Sequence, residues 1–392
     1  MDFDYSPDQL QFKNELRGFL IAEVPEDKQA VFGLATEAQY RFGREINLKL
    51  AARRWLAVGF PEEYGGDGKS LIEQGILAEE LGYRLVPEAG TVGLNVVLPT
   101  IMAFGSSEQK ETYLSPIAKS QVEYCQAFSE PNIGSDRALS GLRAERDVGN
   151  YVLNGTQTVT GNAFHADYMF LLASTESHPE KNWGVSLFVI DTKTPGINLQ
   201  PNPLINGEMS THTSFDNVRT PGSCLIGVEN RGREYTITNP HNAISELGRY
   251  GAVRRVFDDF TDFCNDSAPD GGQPLAEHPL VRHQLAQRRL GMETWKLLSW
   301  QGVSIEGHLS GNGTEVAWAC LFGSQERLRF AEMAMEVLGP YATLRNGSHL
   351  VPLLGNIEGI HRETLNRQSS GTADIQRDNI AQMGLGMPRL GY

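Results

Sequence analysis

The sequence predicts an α+β protein: an N-terminal helical domain over residues 1–123, a middle β-domain over 124–232 and a C-terminal helical bundle over 233–392. Three observations carry this. Apolar residues at helical spacing open the chain, short β-branched and aromatic runs between Gly/Pro turns replace them from about Tyr124, and long helical stripes return after Gly232. A length of 392 residues also exceeds what one hydrophobic core ordinarily serves.

In the N-terminal part, Ser6-Pro7-Asp8-Gln9 reads as a capping box with proline at the first helical position, and Phe12, Leu16, Phe19 and Leu20 follow as a buried stripe. A second helix carrying Leu48, Ala52 and Trp55 is expected to end at Gly59. Phe60 to Gly68 forms a loop, and Ser70 with Glu73 caps a third helix running toward Leu81. Gly68-Lys69-Ser70 is not a phosphate loop, because Glu63 stands where the first glycine belongs and no strand precedes it.

In the middle block, Asn154-Gly155 lies between Tyr151-Val152-Leu153 and Thr156 to Thr160. Both turn residues tolerate positive φ, so a tight hairpin is expected there. Tyr168 to Ala173 and Val185 to Ile190 read as strands, and Thr194-Pro195-Gly196 and Thr220-Pro221-Gly222 as turns. Ahead of the hairpin, the loop Ser129-Glu130-Pro131-Asn132-Ile133-Gly134-Ser135-Asp136 gathers hydroxyls and carboxylates around a glycine that lets backbone approach a ligand. The alternative is an ordinary surface turn.

In the C-terminal part, Val281, Leu285, Met292 and Trp295 form one helical stripe, and Leu328, Ala331, Met335 and Leu338 another that stops at Gly339-Pro340. Long helices with short breaks argue for a bundle.

Composition excludes several classes. A net charge of -14 without a Lys/Arg cluster argues against a nucleic-acid partner and requires a local basic patch for any anionic ligand. Cys125, Cys224, Cys264 and Cys320 lack paired spacing, which suits reduced thiols and neither zinc nor a disulfide framework. No apolar run has the length of a membrane span, and the acidic start MDFDYSPDQL is unlike a targeting peptide, so a cytoplasmic protein is expected. There is no H-E-x-x-H, no G-x-S-x-G and no G-x-G-x-x-G after a strand.

The order S-E-P-x-x-G-S-D, N-G-x-x and a small-residue turn closing on Ala166-Asp167 resembles the central segment of the acyl-CoA dehydrogenase superfamily. Gly371-Thr372-Ala373-Asp374-Ile375-Gln376-Arg377 is similar to its C-terminal G-T-x-x-I-Q-R signature. Pro274 to Arg282 and Leu338-Gly339-Pro340-Tyr341 fall between them in family order. The resemblance implies the three-domain architecture, an FAD cofactor, an acyl-CoA substrate, an electron-transfer flavoprotein as acceptor, and a homotetramer or an α2β2 heterotetramer with a related subunit. The pathway context it suggests is fatty acid or steroid side-chain catabolism.

Dehydrogenating an acyl thioester requires a flavin to accept hydride, donors facing the thioester oxygen, and a carboxylate that reaches the α-proton. By resemblance, flavin contacts fall to Phe128, Ser129, Gly134 and Ser135, to Val159, Thr160 and Gly161, and to Gly371, Thr372 and Asp374. Ser135 and Arg249 fall to substrate. Val159 stands where relatives often carry a covering tryptophan. The family's R-x-x-F element, given across the interface to a neighbour's flavin, is replaced by Asn265 to Gly272. Its Q-x-x-G-G element has Glu336 for glutamine and Pro340 for a glycine.

The base is displaced too. The slot before the terminal Gly-Thr is Ser370, left with a backbone N–H for the thioester. The alternative slot counts to His241–Ala243. Glu246 lies about one helical turn onward, and that count favours a surface-facing carboxylate. His241 is a further, more distant candidate. Arg254 and Arg255 are read as partners of Asp258 and Asp259. Three readings therefore stand: an active dehydrogenase with an unusual base, a base-less subunit completing a partner's site, and a flavin oxidase or monooxygenase-type relative. The orientation of Glu246 separates the first two.

Overall fold

A computed structural model of the protein describes residues 4–130, 141–158, 161, 163–175, 184–237, 242–266, 272–306, 314–364 and 373–388. Helix α1 (Pro7–Glu23) starts with the expected capping box between Ser6 and Gln9, and Phe12, Leu16, Phe19 and Leu20 are buried. Helix α2 (Glu37–Ala52) is capped by Thr36 and ends seven residues before the expected Gly59. Arg54 turns the chain at φ 62°, and Trp55 N–H bonds back to the Leu50 carbonyl at 2.9 Å. The early stop places Trp55 edge-on to Phe12 and Phe19, at 5.7 and 5.8 Å between centroids, while Leu48 faces solvent. Packing of the indole outweighs continuation of the helical pattern.

Helix α3 (Leu71–Tyr83) carries the expected Ser70–Glu73 box. Helices α4 (Leu98–Phe104) and α5 (Ser107–Ala118) lead to strand β1 (Tyr124–Ala127). The remaining strands are β2 (Arg143–Asp147), β3 (Asn150–Gln157), β4 (Tyr168–Ser174), β5 (Val185–Asp191), β6 (Ile197–Pro203), β7 (Met209–Pro221) and β8 (Leu225–Ile226). They form one mixed sheet in the order β6-β7-β3-β2-β4-β5-β8, with β1 parallel to β4.

The hairpin expected at Asn154-Gly155 is displaced. β3 runs straight through those residues, and the turn lies at Val148-Gly149, with φ of 38° and 81°, joining β2 to β3 antiparallel. Asn154-Gly155 instead marks a bulge against β7. There the Asn154 carboxamide accepts from Asn217 N–H at 2.8 Å, and a Cβ on Gly155 would stand 2.8 Å from the Leu142 Cα. The same backbone freedom serves either device, and the cross-strand pairs of Tyr151 and Leu153 decide between them.

The bundle consists of α6 (Gly232–Ile237), α7 (Asn242–Asp266), α8 (Pro279–Glu306), α9 (Thr314–Leu338), α10 (Asn356–Thr364) and α11 (Ala373–Asn379). Phe257, Phe260, Met292, Trp295 and Phe330 form its core. α7 also packs closely on α3. At Gly82 a Cβ would stand 2.0 Å from the Gly248 carbonyl oxygen, and at Gly251 one would stand 2.3 Å from that of Glu79. Glycines on both helices therefore fix the approach and join the N-terminal helices to the bundle, as does Trp300 Nε1 donating to Glu79 at 3.0 Å. This contact brings the first turns of α7 toward the chain that follows α3. The architecture is the expected one of helices, sheet and helical bundle.

Candidate active site

Glu246 is 3% exposed, so the expected surface-facing carboxylate is not what the fold gives. One turn from the start of α7, its side chain turns between α7, α8 and α9. It is met there by Arg249 Nη1, and both line a small pocket with Trp295, Cys320, Ser324 and Arg327. The count from Leu225-Ile226-Gly227 crosses the short α6, where periodicity fixes no register. Burial opposes the charge on Arg249, but Glu246, with Cys320 and Glu88, holds the guanidinium above its ordinary value. Burial pushes Arg327 down, against the pull of Glu363. Glu363, on α10, is pushed up to about 7 by burial, against Arg327 and the Gly33 N–H that donates to it at 3.1 Å.

Carboxylates and guanidinium groups from five places thus act on one another through charge, with Glu246 beside the two guanidinium groups. They come from the chain after α3 (Glu88), the β6–β7 tip (Glu208), α7 (Arg249), α9 (Arg327) and α10 (Glu363). Such a carboxylate, held dry beside a guanidinium, is suited to taking a proton from carbon. No group of His, Cys, Asp or Glu among the described residues is arranged to hold a metal ion.

At the sheet end of the site, Thr158 N–H donates to the Ser129 carbonyl at 2.7 Å, so the expected ligand loop and the end of β3 are joined. Glu130 ties them further: it accepts from Gln157 Nε2 at 3.1 Å and from the N–H groups of Gly141 and Leu142. Phe128 packs near Phe170, at 5.9 Å between centroids, and Gly161 is exposed. Asp374 is exposed on α11 and pairs with Arg377 at 2.8 Å. Gly134, Ser135, Val159, Thr160, Ser370, Gly371, Thr372 and His241 lie outside the described residues. Arg254 and Arg255 pair with Asp258 and Asp259 at 2.8 Å, as read from the sequence.

Gln157 faces Thr213 across the β3–β7 ladder. Its Oε1 and the hydroxyls of Ser210, Thr211 and Thr213 are buried without a hydrogen-bond partner. Buried polar atoms in native proteins are almost always satisfied, so the orphans of Gln157 and Thr213, with Thr211 two residues on along the same face of β7, fit a polar group supplied from outside the chain. A flavin has the carbonyl, ring-nitrogen and hydroxyl groups to satisfy them. Sequence reasoning missed Gln157, Thr211 and Thr213, because polar strand residues carry no periodic signal. It also missed Trp295 and Arg327 as neighbours of Glu246, and Glu363 as the partner of Arg327.

Family models agree with this geometry. The N-terminal domain model of acyl-CoA dehydrogenases matches residues 6–121, the middle-domain model 125–218 and the C-terminal-domain model 240–385. The chain belongs to the acyl-CoA dehydrogenase family. It is 31% identical over 405 residues to acyl-CoA dehydrogenase FadE26 of Mycobacterium tuberculosis, covering 99% of each chain. It is 29% identical over 395 residues to FadE29 of the same organism, covering 100% of each. Among solved structures, the Tcur3481-Tcur3483 steroid acyl-CoA dehydrogenase superposes with a TM-score of 0.90 at 28% identity over 100% of both chains. The ChsE4-ChsE5 complex from Mycobacterium tuberculosis superposes with a TM-score of 0.85 at 29% identity, again over 100% of both. The protein is accordingly a flavoprotein oxidoreductase of the acyl-CoA dehydrogenase type, or a subunit of one. No helix among the described residues is long and apolar enough to cross a membrane.

Proposed function

We propose that this chain is the base-bearing subunit of an α2β2 acyl-CoA dehydrogenase, with Glu246 removing the α-proton and an unlike, related subunit completing the flavin site. The observation that carries the reading is the burial of Glu246 in a pocket against Arg249. A carboxylate there has a partner for its charge, is shielded from bulk water and stands on a helix anchored by close contact with α3. This speaks against the base-less reading and against the oxidase-type one, for which no α-proton base is needed.

The cofactor would be FAD, held on this chain by Phe128, Ser129 and Gly161 and by the orphaned groups of Gln157, Thr211 and Thr213, with Gly134, Ser135, Val159 and Thr160 assigned by resemblance. When bound, it supplies the hydride acceptor. The chain's own part is to hold the acyl-CoA, expose its α-proton to Glu246 and keep water away from both. Ser135 and Arg249 are proposed to contact the substrate, and the Ser370 backbone N–H to polarise the thioester carbonyl. The missing R-x-x-F and Q-x-x-G-G elements would leave a homotetramer's flavin without its second set of contacts, so a partner that retains them fits better than a second copy. Asp374 and Arg377 of the terminal signature, paired with each other and both exposed on α11, would face such a partner. A cytoplasmic enzyme passing electrons to an electron-transfer flavoprotein completes the reading. The steroid-type and fatty-acyl relatives make both acyl classes worth testing.

The test is the absorption spectrum of the chain purified alone and co-expressed with related subunits, before and after anaerobic addition of straight-chain and steroid acyl-CoAs. A colourless lone chain that gains a bleachable flavin with a partner is expected. A lone monomer with tightly bound flavin would contradict the shared site.

A further inference from the structure

Behind Glu246, helices α7, α8 and α9 frame a cavity of about 10 Å3 whose walls include Glu246, Arg249, Trp295, Gly323 and Arg327. That is about the space one water molecule needs. Two donors on its walls are uncommitted. Trp295 is 1% exposed, and its Nε1 has no hydrogen-bond partner. A Cβ on Gly323 would stand 2.2 Å from that Nε1, so the indole packs its N–H edge closely on Gly323 of α9, and both residues line the cavity. Arg327 interacts with its neighbours through charge alone and makes no side-chain hydrogen bond or salt bridge among the described residues. A buried donor such as the Trp295 N–H calls for an acceptor, and Glu246 is an acceptor on the same cavity, with the half-buried Arg327 beside it.

We propose that the cavity holds one structural water that accepts from Trp295 Nε1 and donates to the Glu246 carboxylate, with Arg327 facing it, so that Trp295 and Arg327 are positioning residues for the base. The inference rests on the reading of Glu246 as the base. The charged and titratable groups that act on the two guanidinium groups of the cavity, Arg249 from α7 and Arg327 from α9, are Glu246 itself, Cys320 from α9, Glu88 from the chain after α3, Glu208 from the β6–β7 tip and Glu363 from α10. From α8 the cavity receives only the neutral Trp295, while the adjacent Lys296 is turned to Glu79 at 3.7 Å. A water held by the indole therefore adds a hydrogen bond to the ionised form without adding charge. Removing it disfavours that form and moves the acidic limb of kcat/KM to higher pH.

The experiment compares pH profiles of kcat/KM for wild type, Trp295→Phe and Arg327→Gln in the flavin-loaded complex, on the acyl-CoA that bleaches it best. Both variants are expected to shift the acidic limb upward by about one pH unit, the worth of one charge-assisted hydrogen bond. A folded Trp295→Phe protein with wild-type melting temperature and flavin content, yet an unmoved limb, overturns the proposal. So does a loss of rate equal at every pH, which marks a packing role. If Trp295→Phe does not fold, Arg327→Gln decides, and an unmoved limb again overturns it. Failure of the underlying reading is distinguishable, because Glu246→Gln would then still bleach the flavin before any profile is taken.

Discussion

Arg249 Nη1 donates to Glu246 Oε1 three residues back on the same helix, and the carboxylate end of this pair is buried while the guanidinium is about one third exposed. The pair is thus open on one side only. Glu246 is shielded from bulk water, while Arg249 bonds to it and remains within reach of solvent. Its spacing of one helical turn makes it a local device, set by the sequence ELGR and oriented by the packing of α7 on α3.

That packing is expected to tolerate no added methyl. A Cβ at Gly251 would meet the Glu79 carbonyl oxygen at 2.3 Å, and backbone cannot swing aside as a side chain can. Gly251→Ala should lower stability by about 1–3 kcal/mol through overpacking, although alanine is the better helix former. Thermal denaturation of the two proteins checks this. A rise in melting temperature would show that the helices are free to separate.

Glu363 gives the protein a pH dependence of known sign. Its carboxyl is pushed up from an ordinary 4.5 to about 7, mainly by burial, so the folded state binds more protons than the unfolded state between those values. This group's contribution is most favourable at low pH and is lost as pH rises through about 7. Glu363→Gln, which can still accept from Gly33 N–H, should gain stability relative to wild type at pH 8 and much less at pH 5. Melting temperatures of both proteins across that range provide the check.

Arg44 joins α2 to the sheet by donating to Glu123 and, at 3.2 Å, to Ser120, while Glu123 N–H donates to Asp167 at 2.9 Å. Burial raises the Glu123 carboxyl, opposed by Arg44. Breaking a buried pair on one side costs about 3–5 kcal/mol, and because Arg44 is 23% exposed the expected loss for Arg44→Met is about 2 kcal/mol. Urea unfolding should show it with an unchanged slope. Restoration by the double variant Arg44→Met/Glu123→Gln would confirm that the loss comes from the stranded carboxylate.

Much of the fold was legible because its signals are local. The Ser6 and Ser70 caps, the stripe from Phe12 to Leu20 and the stop at Gly339-Pro340 each appear where the residues place them. The errors came where one local signal serves two structures. Asn154-Gly155 supplies a bulge instead of a turn, and the apolar run through Trp55 closes a helix end instead of extending it. For the site, the family motifs named a loop and a strand end, and Ser129 and Thr158 join them. The direction of Glu246 was harder to see. Counting from Leu225-Ile226-Gly227 cannot resolve one helical turn across α6, so the direction of Glu246 needed three-dimensional packing. The orphaned Trp295 N–H leaves no trace in the sequence at all, since it depends on Gly323 standing across from it.

The most direct test of Glu246 as the α-proton base is anaerobic stopped-flow bleaching of the flavin in the assembled complex, wild type against Glu246→Gln. The amide keeps the size and the contact with Arg249 but cannot take the proton. The bleaching rate should fall by about 10^2- to 10^4-fold with flavin content and acyl-CoA binding retained. A Glu246→Gln complex that bleaches at the wild-type rate would contradict the assignment.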